Sequence, residues 1–88
     1  VLSFIHRDTG LRVEGQDLIK VDESLCADLG IECDDVSFAH QWVDRIGFGL
    51  ACGRTYDETR AAFAHDPDIL RIVDWLDARY RPDCYGVR

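Results

Sequence analysis

Apolar positions recur at steps of three and four along most of the chain. The clearest stripe is Ile69, Ile72, Val73, Leu76 and Tyr80, with Trp75 beside it. It predicts an amphipathic final helix opened by Asp66 as N-cap and Pro67 as first helical residue. Pro82 should end that helix near Arg81, because it disfavours helical geometry in the residue before it. A second stripe runs through Val36, Ala39, Val43 and Ile46, flanked by Phe38 and Trp42. Asp34 or Asp35 caps this helix, and Gly47, Gly49 and Gly53 break the pattern, so that it ends near Ile46 or frays through Phe48 and Leu50. Between the two, Thr55 and Glu58 form a capping box for a short helix to about His65.

The first third is less periodic. Val1, Leu2, Phe4 and Ile5 fit a short helix over about 1–8, while Asp8-Thr9-Gly10 is a turn signal that would suit a hairpin. The helix is the favoured expectation. Leu11 and Val13 would then pack in a long loop with Leu18, Ile19 and Val21. Asp22 caps a single turn carrying Leu25 and Leu29, and Gly30 stops it in a left-handed conformation. The expected fold is all-α: a small four-helix bundle with a long first loop and a short third helix. The alternative is α+β with an N-terminal β-hairpin. Residues 1–82 make one domain and 83–88 a tail.

Charge adds a direction. Residues 14–35 hold eight acids against Lys20, and so carry the whole net charge of −7. The bets for partner contact are Asp28, Glu32, Asp34 and Asp35, with Asp44 on the helix that follows. A one-signed patch disfavours nucleic acid and anionic membranes, and it steers encounter with a basic protein surface. No apolar run approaches the ~20 residues that span a bilayer. The apolar N-terminal stretch is too short for a signal peptide, so the expected location is cytoplasmic with reduced thiols.

Candidate chemistry is sparse. The four cysteines at 26, 33, 52 and 84 include no close pair of metal ligands. His40 and Asp44, four apart on one helix, could share a metal or form a dyad, but no second pair completes a set. Cys33 precedes a helix N-terminus, yet Glu32, Asp34 and Asp35 disfavour its thiolate. Ser24 has no His or Asp arrangement to activate it. The expectation is a protein that is not an enzyme and holds no metal.

The order Val21-Asp22-Glu23-Ser24-Leu25, then Asp28-Leu29-Gly30-Ile31, then an acidic helix start, resembles acyl carrier proteins. The likeness spans about 1–76 and is motif-specific over about 19–46. It implies a four-helix bundle whose acidic second helix docks on basic partner enzymes. In that family the serine of Asp-Ser-Leu carries phosphopantetheine. Here Glu32, Cys33 and Asp34 occupy those positions, as in a group of bacterial carrier-like proteins with a small residue and two aspartates there. The resemblance therefore implies a docking protein without an attached group. The alternatives are a true carrier with its arm at Cys33, and a small acidic inhibitor or immunity-type protein needing only the charged patch.

Overall fold

Phe4 sits in the middle of a sheet, not on a helix. The computed structural model describes residues 3–31 and 36–82 of the 88-residue chain. Strand β1 is Ser3–His6 and β2 is Arg12–Glu14, an antiparallel hairpin in which Phe4 faces Val13 in register. Its turn closes through the Gly10 N–H on the His6 carbonyl and the His6 N–H on the Leu11 carbonyl, both at 2.8 Å. Gly10 takes φ +72°, where a side chain is strained. A third strand, β3 (Tyr80–Pro82), pairs antiparallel with the other side of β1, giving the order β2-β1-β3.

This overturns the all-α bundle: the fold is a mixed α+β arrangement of four helices and one three-stranded sheet. The hairpin held as the alternative is present, and β3 joins it from the far end of the chain. The physical reason is non-local. Val-Leu-Ser-Phe-Ile is as suitable for a strand as for a helix. A two-stranded ribbon alone is marginal, and the third strand, some 75 residues away, makes the sheet viable. Pro82 is tolerated because β3 is an edge strand.

The long first loop is also absent. Helix α1 runs from Asp17 to Leu29, with Leu18, Val21, Asp22, Leu25 and Cys26 on its buried face. The anticipated single turn was only its second half. Gly30 ends it at φ +71°, as its sequence position suggested. Leu11 and Ile19 are largely exposed, not packed in a loop.

Helix α2 spans Val36–Ala51 and runs through both glycines. Leu50 is fully buried, and such burial outweighs the ~1 kcal/mol helix penalty of a glycine. Helix α3 is Tyr56–Ala62 and α4 is Pro67–Arg79, two residues shorter than expected because Tyr80 turns into β3. The Thr55–Glu58 capping box is formed in full. Thr55→Ala should therefore cost about 1 kcal/mol, read as a midpoint drop of about 4 to 8 °C in thermal unfolding.

The helices cover one face of the sheet around Phe4, Leu25, Leu50, Ile72 and Leu76, all nearly inaccessible. The buried Tyr56 hydroxyl donates to the Tyr80 carbonyl at 2.9 Å and ties α3 to β3. Among the described residues no helix is long and apolar enough to cross a membrane.

Candidate functional site

Asp22 occupies a core position. It lies four residues after Leu18 and three before Leu25, so α1 carries it inward on the same stripe. Its side chain is 1% exposed, and it is the one buried carboxylate among the described residues. Its Oδ2 lies 2.6 Å from Nδ1 of His40, which α2 brings up from the other side of the seam. Its second oxygen, Oδ1, is buried without a hydrogen-bond partner among the described residues. The His40 ring is about half exposed, at 49%.

The electrostatics are those of a carboxylate held against its preference. Burial, which penalises the charged form, is the largest cause of an upward shift in the Asp22 pKa. The hydrogen bond and charge of His40 oppose it, and Asp44 and Glu23 add to it. Glu23, His40 and Asp44 therefore surround one buried acid across the α1–α2 seam. An ionised Asp22 can only accept, so Nδ1 carries the proton of this bond. The carboxylate thus fixes the tautomer and orientation of the imidazole.

The predicted contact residues divide three ways. Asp44 is exposed on α2, one turn beyond His40. Asp28 is exposed but engaged: the Trp75 indole N–H donates to its Oδ2 at 2.8 Å, and Arg79 reaches the same oxygen at 3.3 Å. The Arg79 guanidinium also lies 4.4 Å over the Trp75 ring, so Asp28 fastens α1 to α4. Glu32, Cys33, Asp34 and Asp35 lie outside the described residues.

The phosphopantetheine implied by the resemblance would need a hydroxyl at position 33. Cys33 offers a thiol instead, so the residue does not fit that group. Among the described residues no group of three His, Cys, Asp or Glu is placed to hold a metal ion.

No protein-family model, curated protein or solved structure matches the chain. The chemistry of the site is thus the guide to its use. The seam offers an oriented imidazole beside two exposed acids, and no nucleophile among the described residues is bonded to that imidazole.

The Asp22–His40 pair is not legible in the sequence, because Asp22 also suits a helix cap and His40 has Asp44 one turn away on its own helix. One signal pointed the other way. Leu18, Val21, Asp22 and Leu25 already form a helical stripe if the helix begins at Asp17.

Proposed function

We propose that the protein is a non-enzymatic binding module of the cytoplasm. Its acidic segment, with Asp17 and Glu23 on α1, Asp44 on α2 and residues 32–35 of the sequence between them, docks on a basic protein surface. The observation that supports this most is how charge is sorted between internal and outward use. In the C-terminal half, Arg60 binds Asp57, Asp74 and Asp77, and Arg7 binds Asp77 at 2.8 Å. Those three acids are neutralised within the fold, while Glu58 and Asp66 serve as helix-capping groups. Asp17, Glu23 and Asp44 are exposed and make no ion pair among the described residues.

Unpaired like charges on neighbouring helices repel one another and favour an opposite charge from outside. Such a surface accelerates encounter with a basic partner and repels nucleic acid. This reading does not rest on the acyl-carrier likeness. The acidic inhibitor is one form of it, in which the basic surface is a partner's active site.

The test is capture by immobilised protein at low and moderate salt, with bound proteins identified by mass spectrometry. The variants are Asp34→Asn with Asp35→Asn, and Glu23→Gln with Asp44→Asn. Basic proteins retained by the wild type should bind either variant about tenfold more weakly or worse, with a flatter salt dependence. Equal affinity at low salt would sink the docking reading.

A further inference from the structure

The same exposed ridge of α2 that carries His40 and Asp44 continues at four-residue steps to Phe48 and Cys52. There it borders a groove of about 450 Å³, lined by Arg45, Phe48, Gly49, Cys52, Arg54 and Glu58. That volume lies in the range of small-molecule sites. The groove is cationic in a chain whose net charge is −7.

Its two arginines differ from three others. Arg7, Arg60 and Arg79 each bond a carboxylate within the fold. The guanidinium groups of Arg45 and Arg54 make no hydrogen bond or ion pair among the described residues, yet both are positioned. The Arg45 guanidinium lies 5.2 Å over the Trp42 ring, and Trp42 meets Phe63 edge-on at 5.5 Å. The Arg54 stem lies across Gly49, its Cδ 3.6 Å from where a Cβ would stand. A Cβ at position 49 would meet that stem in ordinary van der Waals contact.

Glu58 is the one acid in the groove's described lining, which therefore keeps one net positive charge. The Glu58 carboxylate is engaged by the Thr55 N–H and hydroxyl of the capping box. The last carbonyls of α2, those of Phe48, Gly49 and Leu50, accept from Cys52, Arg54 and Gly53. Phe48 stands 71% exposed beside them. An exposed ring next to two guanidinium groups without acceptors is complementary to a flat apolar body bearing a negative charge.

We propose that this groove binds a small organic anion, its ring on Phe48 and its carboxylate or phosphate held by Arg45 and Arg54. The site is independent of the acidic docking face and uses the opposite charge.

The test is titration of the ¹⁵N-labelled full chain, followed by amide shifts, with 1-naphthyl phosphate, 1-naphthoate, inorganic phosphate and 1-naphthylmethanol. The two naphthyl anions should give saturable shifts confined to about residues 42–58. Inorganic phosphate and the alcohol should each bind about tenfold more weakly or worse. Arg45→Gln with Arg54→Gln, both at exposed positions, should keep a folded spectrum and weaken the anions by at least about tenfold. Preference between phosphate and carboxylate identifies the headgroup. Absence of saturation, shifts centred elsewhere, or unchanged binding by the double variant would overturn the proposal. Shifts at 42–58 that follow protein concentration alone would also overturn it, by placing a second copy in the groove.

Discussion

Phe4→Ala is expected to cost about 3 to 5 kcal/mol, the usual range for emptying a buried phenylalanine site. A chain of this length has about 4 to 13 kcal/mol of stability in total, so the loss removes about a quarter of it or more. Phe4 is 0% exposed on the central strand, with β2 on one side and β3 on the other, and its ring lies 5.9 Å from that of Tyr80. Truncation would open a void where sheet and helices meet, and β1 cannot collapse into it without breaking register with both neighbours. Urea unfolding followed by circular dichroism should show a midpoint shifted far down, or no cooperative transition at all. Phe48→Ala, at a position 71% exposed, should stay within about 0.5 kcal/mol of wild type. A cost below about 1 kcal/mol at Phe4 would mean that β1 is not the floor of the core.

His40→Ala should cost about 2 to 3 kcal/mol at neutral pH. Hydrogen bonds to charged groups contribute about 1.5 to 3 kcal/mol, and this one serves a carboxylate that is 1% exposed. The penalty arises at Asp22, whose carboxylate would keep its burial and lose its one hydrogen bond among the described residues.

The pH dependence gives the mechanism a sign. The folded pKa of Asp22 is raised above the ordinary aspartate value of 3.8, chiefly by burial. The folded chain therefore holds this proton more tightly than the unfolded chain does. Asp22's contribution to stability is full below 3.8 and is lost as pH rises through the folded value. Without His40 the folded value moves higher still. The gap between variant and wild type should widen with rising pH and be largest near neutrality.

Asp22→Asn removes the buried charge and should flatten this dependence. In that background His40→Ala should cost at least about 1 kcal/mol less than it does alone. Strictly additive single effects would show that the two side chains are not coupled.

Much of the helical half was legible because its signals are local. Thr55 and Glu58 lie three apart and satisfy each other's backbone, and Asp66-Pro67 starts α4 for equally local reasons. Gly30 ended α1 as expected, since its left-handed conformation depends on its own backbone. Where burial outweighed propensity, the reading stopped short. Leu50 draws α2 past two glycines, and Leu18 extends α1 back to Asp17.

The candidate site followed the same division. Composition alone located the acidic segment and Asp44, since charge is counted without knowing the fold. Composition could not say that Asp28 is engaged by Arg79 and Trp75, because those partners come from a helix almost 50 positions on. Nor could it pair Asp22 with His40 across 18 residues.

By itself the sequence determined the last three helices in outline, their local caps and the concentration of negative charge in residues 14–35. Each of these depends on neighbours within a few positions or on a sum. Only the tertiary structure decided that residues 3–6 are a strand, that Asp22 is buried, and that Arg45 and Arg54 share a groove. An apolar run such as Ser-Phe-Ile-His can be buried in either backbone geometry. The choice falls to whichever partner completes its hydrogen bonds, and that partner, Tyr80–Pro82, lies at the other end of the chain.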